Sequence, residues 1–410
     1  MMNKKNLEIY VHIPFCVRKC AYCDFLSFPG NQQMQREYTE KLIEEIKFQS
    51  AKVKEYQVIS VFIGGGTPSI LGIGDMAAVL HSLREAFEIL PGAEITMEVN
   101  PGTVTAEALS CYREAGVNRI SMGLQSADDK ELRYLGRIHT YDEFLKSYQR
   151  VRMAGFDNVN VDLISAIPGQ TLESWKNTLK KVTMLKPEHI SAYSLIVEKG
   201  TPYFDRYGEQ GNMENMENME NHSLTLEERN RLMSLPNLPD EDTEREMYYL
   251  TQEFLNEQGY ERYEISNYSK NGYECRHNIG YWTGVEYLGL GLGAASYLNG
   301  CRFHNTPALD EYCRASLDQE EAFQRVLRQE FEQLTIEEKM EEYMFLGLRL
   351  MKGVSAQGFV SNFGHNIRSV YGMVLDAMEE EGLMEFKDGC YRLTSRGIDI
   401  SNYVMSRFLK

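Results

Sequence analysis

No stretch of this chain is long and apolar enough to read as a membrane span, which needs about 20 consecutive apolar residues. No secretory leader opens it either, since Met1 to Lys5 runs only into the short apolar stretch Ile9 to Phe15. Cysteine is sparse, with eight in 410 residues, too few for a disulfide scaffold. These absences point to a reducing, cytoplasmic setting in which thiolates survive. Positive charge is in deficit, 43 Lys and Arg against 60 Asp and Glu, for a net charge of −17. That balance argues against non-specific binding to nucleic acid or anionic membrane, though a local basic pocket remains compatible. The remaining composition, 43% hydrophobic and 25% charged, is that of a globular protein. Its length suggests one large domain with smaller ones attached.

Three of the few cysteines stand together. Cys16, Cys20 and Cys23 fall within eight residues, spaced x3 then x2. Structural zinc asks for four closed ligands, usually as two separated pairs. The other cysteines, at 111, 275, 301, 313 and 390, make no second pair. An iron–sulfur cubane with one iron left open accounts for the spacing better than zinc or three unconnected thiols. An open coordination position is where chemistry happens.

The chain around this loop alternates. Leu7 to Ile13, Val58 to Ile63, Glu94 to Asn100, Val117 to Gln125, Asn158 to Ser165 and His189 to Val197 read as strands. Helices are expected between them: Met34 to Val53, about Asp75 to Leu90, from Thr105 to Gly116, from the capping box at Thr140 to Gly155, and about Leu172 to Leu185. Six strand–helix units predict an α/β chain whose parallel sheet curls into a barrel or partial (β/α)6 barrel over residues 1–207. Residues 208–241 are polar and repeat Asn-Met-Glu between Asn212 and Glu220, which reads as a flexible insertion. Residues 242–335 form a region capping the barrel, with the aromatic-rich run Cys275 to Trp282 and the glycine-rich run Leu288 to Ser296. Residues 336–410 end in helix, hairpin and helix, the order of a winged-helix-like α+β module. That segment holds nine Lys and Arg against eleven Asp and Glu, so it reads as structural or protein-facing rather than DNA-reading.

Polar residues recur where a barrel lumen would be. Period two turns Thr96, Glu98 and Asn100 inward on one strand, and Asn160 and Asp162 on another. Gln125 ends its strand and Arg137 follows. Several inward polar groups together describe a ligand-holding mouth rather than isolated core hydrogen bonds. Gly64-Gly65-Gly66-Thr67-Pro68 follows a buried strand and lacks the Gly-Lys-Ser/Thr of a phosphate loop.

The C-x3-C-x2-C motif after a first barrel strand resembles the radical SAM superfamily. The resemblance implies a [4Fe-4S] cluster on Cys16, Cys20 and Cys23, with S-adenosylmethionine on the open iron. It also implies contacts to that cofactor from Gly66, Thr67, Glu98, Gln125, Arg137 and Asp162, with Tyr10 and Tyr22 beside it. Tyr10 to Cys16, Met122 to Ser126, Asn160 to Ile164 and Tyr343 to Arg349 are similar to the HemN/HemW family. That family holds oxygen-independent coproporphyrinogen III oxidases and haem chaperones. The oxidases carry a further cysteine where this chain has Phe25, and a long N-terminal arm where it has about six residues. His277-Asn278-Ile279-Gly280-Tyr281-Trp282 matches the motif linked with haem in the chaperone branch. The resemblance therefore implies haem bound near His277, Tyr281 and Trp282, with Cys275 a rival iron ligand, and haem-acceptor proteins as partners. A flavodoxin- or ferredoxin-like reductant fits such a cluster. A homodimer is compatible with these residues.

Overall fold

The computed structural model describes residues 4–208, 224–316 and 319–409. Six parallel strands form its frame: β1 (Lys5–Ile13), β2 (Tyr56–Gly65), β3 (Ile89–Val99), β4 (Arg119–Gln125), β5 (Val159–Ser165) and β6 (His189–Ser194). They lie side by side in sequence order, as right-handed strand–helix crossovers require. The covering helices are α1 (Gln32–Ser50), α2 (Ile73–Ala86), α3 (Ala106–Glu114), α4 (Asp129–Leu135), α5 (Tyr141–Met153) and α6 (Leu172–Thr183). Caps expected from the sequence are in place. Thr105 accepts from Ala108 N, and Thr140 forms a reciprocal capping box with Glu143.

One boundary moves. The helix expected to run to Leu90 stops at Ala86, because Val58 N donates to Glu88 O and Ile89 pairs with Val58 as the first residue of β3. Sheet pairing there overrides a helical apolar period. The expected sixth strand also ends early, at Ser194 rather than Val197.

The helices α7 (Pro202–Tyr207), α8 (Leu226–Met233) and α9 (Glu241–Glu257) follow. The sequence reading gave residues 224–240 no element. There α8 starts in a capping box at Thr225, and its Leu232 packs with Leu235 and Tyr203. The Asn-Met-Glu repeats lie outside the described residues.

Strands β7 (Glu261–Arg262) and β8 (Asn267–Ser269) extend the β6 edge in antiparallel fashion. Helix α10 (Arg276–Thr283) leads to β9 (Tyr287–Leu290), which pairs in parallel with β1. Strands β10 (Ala295–Leu298) and β11 (Cys301–His304), helices α11 (Leu309–Arg314) and α12 (Glu320–Val326), and strand β12 (Gln329–Gln333) complete that side. The sheet thus holds twelve strands and stays open, a partial barrel with antiparallel flanks.

The C-terminal module runs α13 (Ile336–Gly347), β13 (Val354–Ser355), α14 (Ala356–Phe363), α15 (Ile367–Glu380), β14 (Met384–Lys387) and β15 (Cys390–Leu393). The hairpin turns at Asp388 and Gly389, both with positive φ (50° and 79°), which is the two-residue turn a right-twisted hairpin favours. Two short helices, α16 (Ser395–Asp399) and α17 (Ser401–Ser406), follow the hairpin, and the resulting helix–strand–helix–helix–hairpin–helix order is winged-helix-like, with the expected ending of helix, hairpin and helix. Its core, including Met344, Leu348, Phe359 and Leu375, is separate from that of the barrel.

Candidate cofactor site at the barrel mouth

The cysteine loop leaves the C-terminal end of β1. Cys16 is held in a short pairing of Phe15–Cys16 with Phe28–Pro29, and all three cysteines are half-buried. Thr67 Oγ1 donates to Cys16 Sγ at 3.6 Å, and Arg137 Nη1 stands 4.0 Å from Cys20 Sγ. Burial pushes the Cys23 thiol up to about 11 and raises Cys16 as well, so a metal must displace their protons on binding.

Gly66 makes the loop's position available. A methyl group there would stand 2.5 Å from Phe15 O and 2.9 Å from Cys16 Sγ. Its N–H donates to Ile13 O (2.8 Å), Thr67 N donates to Phe15 O (2.8 Å), and Gly65 N donates to Glu98 Oε2 (3.1 Å). With these donors engaged, an ammonium group arriving at the glycine run can meet only its carbonyl oxygens.

The inward polar residues converge where the strands end. Asn100 Nδ2 donates to Thr67 Oγ1 (2.7 Å), while Arg137 Nη2 donates to Asn100 Oδ1 (2.6 Å) and to Gly123 O (2.8 Å). Gln125 places its amide beside Gly123 and holds a left-handed φ of 72°, a conformation that concentrates at functional sites. Asp162 accepts from Asn160 Nδ2 (2.7 Å) and Ser121 Oγ (3.0 Å). Burial, with the charge of Asp162 added, pushes Glu98 up to about 8, and burial raises Asp162 too. Two buried carboxyls facing one pocket favour a cationic guest. Tyr10 donates to His12 Nδ1 (2.9 Å), and His12 Nε2 donates to Leu26 O in the cysteine loop (2.8 Å). Tyr22 packs edge-on against Tyr203, at 6.2 Å between centroids. Cys16, Cys20, Cys23, Tyr10, Tyr22, Gly66, Thr67, Glu98, Gln125, Arg137 and Asp162 thus gather at one end of one barrel. The donor set fits an iron–sulfur cluster, with thiolates at one side and carbonyl and carboxylate acceptors beside it for an amino group or a sulfonium.

Sequence reasoning missed His12, Ser121 and Tyr193. His12 was signalled by period two from Tyr10. Tyr193 is 40% exposed, yet it faces Asp162 and Glu264 and so looks into the lumen rather than out to bulk water.

The second set of residues lies elsewhere. His277 sits on α10 at the opposite, N-terminal end of the strands and is 1% exposed. Its Nδ1 pairs with Ser60 Oγ (2.8 Å) and its Nε2 with Tyr281 Oη (3.3 Å). Glu8 Oε2 comes within 4.0 Å of Nδ1. Burial pushes Glu8 up to about 8 and His277 down to about 3, so this is contact between neutral groups, not an ion pair. Trp282 is half-buried beneath the Arg349 guanidinium, 4.3 Å from its ring. Cys275 is fully buried and donates to Glu94 Oε1.

A (β/α)6 partial barrel with a three-cysteine loop at its mouth defines a radical SAM protein, and residues 10–182 match the Radical SAM superfamily. Residues 334–400 match the HemN C-terminal domain. The chain belongs to the HemW family. It is 34% identical to the haem chaperone HemW of Lactococcus lactis, covering 100% of this chain and 98% of that one. To the haem chaperone HemW of Bacillus subtilis it is 33% identical, covering 98% of each. Its fold is similar to that of Escherichia coli HemN, a coproporphyrinogen III oxidase, with a TM-score of 0.80 at 22% identity, over 99% of this chain and 90% of that one.

Proposed function

We propose that this chain is a haem chaperone built on a radical SAM scaffold. It would hold a [4Fe-4S] cluster through Cys16, Cys20 and Cys23, and S-adenosylmethionine in the mouth formed by Tyr10, Tyr22, Gly66, Thr67, Glu98, Gln125, Arg137 and Asp162. It would pass haem to acceptor proteins. The observation that carries the reading is likeness along the whole chain to relatives named haem chaperones, barrel and C-terminal module together. A cluster bound there would supply an electron to the sulfonium of the cofactor. The chain's own residues orient that cofactor: Glu98 and Asp162 offer acceptors to cationic groups, and the glycine run offers carbonyls. Arg137 is fixed by Asn100 and Gly123 O and stands ready for a carboxylate. The motif Cys275 to Trp282 supports haem handling by the family pattern. Among its residues, His277 has both ring nitrogens engaged, while Asn278, Ile279, Tyr281 and Trp282 are half-buried and Arg276 is exposed.

A HemN-type oxidase is the rival. Phe25 speaks against it, since the further cysteine of the oxidases is replaced by a ring that is 65% exposed. The reconstituted protein is incubated anaerobically with coproporphyrinogen III, S-adenosylmethionine and a reductant. No protoporphyrinogen is expected, and its appearance would sink the chaperone-only reading. The soluble setting and any reductant partner belong to the same proposal. Among the described residues no helix is long and apolar enough to cross a membrane.

A further inference from the structure

The lumen below the mouth is not a plain apolar core. Glu8, Ser60, Glu94, Thr96, Arg119 and His277 are all nine-tenths or more buried. Helix α10 closes this floor. Glu94 meets its N-terminus, accepting from Arg276 N (3.2 Å) and His277 N (3.3 Å), as a carboxylate at a helix start should. Gly280 is the one residue type that fits its place, because a methyl there would lie 2.1 Å from Glu8 Oε1. A donor chain links Tyr281, His277, Ser60 and Glu8, while Glu8 Oε2, Thr96 Oγ1 and Arg119 Nε have no hydrogen-bond partner among the described residues. Tyr281 donates to His277 Nε2, His277 Nδ1–H donates to Ser60 Oγ, and Ser60 donates to Glu8 Oε1 (3.0 Å). A neutral imidazole with both nitrogens engaged has no lone pair left for a metal.

The same ring faces upward. His277 stacks on Phe62, with centroids 5.2 Å apart and planes 27° apart. Phe62 stacks on Tyr10 at 6.4 Å and 28°. Tyr10 donates to His12, and His12 donates to Leu26 O, three residues beyond Cys23. A packed column of rings therefore runs from the floor helix to the cysteine loop. Packed interiors transmit displacement because they leave few voids to absorb it.

From this geometry we infer that His277 is a positioning residue: through Phe62, Tyr10 and His12 it sets the S-adenosylmethionine pocket, and it is not the iron ligand for haem. The inference rests on the mouth being that cofactor's pocket. It gives the motif around His277 a role in the closed molecule that the ligand reading does not.

Wild type, His277→Ala, His277→Gln and Ser60→Ala are reconstituted anaerobically with iron and sulfide. S-adenosylmethionine binding is measured by equilibrium dialysis and haem binding by absorbance titration. Glutamine can donate to Ser60 and accept from Tyr281, yet it is a poor ligand for haem iron. S-adenosylmethionine affinity is expected to fall about tenfold in His277→Ala and in Ser60→Ala, the size of effect seen for coupled neighbours. His277→Gln should restore most of it and bind haem within about threefold of wild type. Haem binding lost in His277→Gln, or S-adenosylmethionine affinity unchanged in His277→Ala, overturns the inference. Should His277→Ala fail to fold, Ser60→Ala decides the cofactor arm by the same criterion. A wild type that binds no haem would end the carrier proposal and leave the cofactor arm to decide the inference on its own.

Discussion

Glu98 and Gly66 show how single residues define the mouth. Glu98 is held up to about 8 by burial and by Asp162, well above its ordinary 4.5. Between those two values the folded chain binds more protons than the unfolded one. The stabilisation is therefore complete below about 4.5 and is lost as pH rises through about 8. Without cofactor, Glu98→Gln should melt with a shallower decline from about pH 5 to about pH 8 and should exceed wild type at the upper end. Parallel melting curves across that range would contradict the assignment. Gly66→Ala asks for space already taken by Phe15 O and Cys16 Sγ. Overpacking of this kind costs about 1–3 kcal/mol, and relief comes most easily by moving the cysteine loop. Iron and sulfide bound after reconstitution should drop sharply in this variant, while wild-type content would argue that the loop has room. The cysteines, Glu98 and Asp162 were legible in the sequence because spacing and period two are local signals. The partners of Ser121 were not, because they depend on which residues the neighbouring strand sets opposite.

Elements were legible where the chain's own pattern dictated them. Capping boxes and alternating runs located the six barrel strands and most of their helices. The pattern failed at residues 87–90, where an apolar period continues past Ala86 but Val58 draws Ile89 into the sheet. It also could not place α10. The motif His277 to Trp282 was visible, but the site of its burial was not, since Glu8, Ser60 and Glu94 lie roughly two hundred residues earlier and meet it only in the fold. The floor gives an element-scale expectation. Gly280→Ala should expel Glu8 or lift α10, costing about 1–3 kcal/mol in urea unfolding. Shortening the carboxylate side chain with Glu8→Ala in the same chain should recover part of that loss. Additive losses in the double variant would show that the two residues do not compete for the same space.

At the scale of the whole molecule, the C-terminal module is joined to the rest of the chain at several places, among them an Arg302–Glu342 ion pair (2.9 Å) and a hydrogen bond from Tyr249 to Asp399. Met351 N donates to Tyr263 O (3.0 Å), and Glu264 bridges to Leu350. Arg349 lies over Trp282 and reaches Glu264 Oε2 at 3.6 Å. Glu264 is fully buried, so Arg349→Gln leaves its carboxylate without a countercharge. The variant should lose about 3 kcal/mol, and limited proteolysis should begin to cut between barrel and module near Lys352. Resistance equal to wild type would mean that the junction holds without this pair. The chain's order of barrel then module was legible from its patterns, whereas this junction was not, being built from residues about ninety positions apart.

The central claim is that this radical SAM scaffold carries haem. The most direct test is an anaerobic haem titration of the cluster-reconstituted chain, followed by absorbance. The account expects a saturable Soret shift at a fixed ratio of haem to chain, with the spectrum retained after gel filtration. A linear, unsaturated rise that is lost on the column would contradict it.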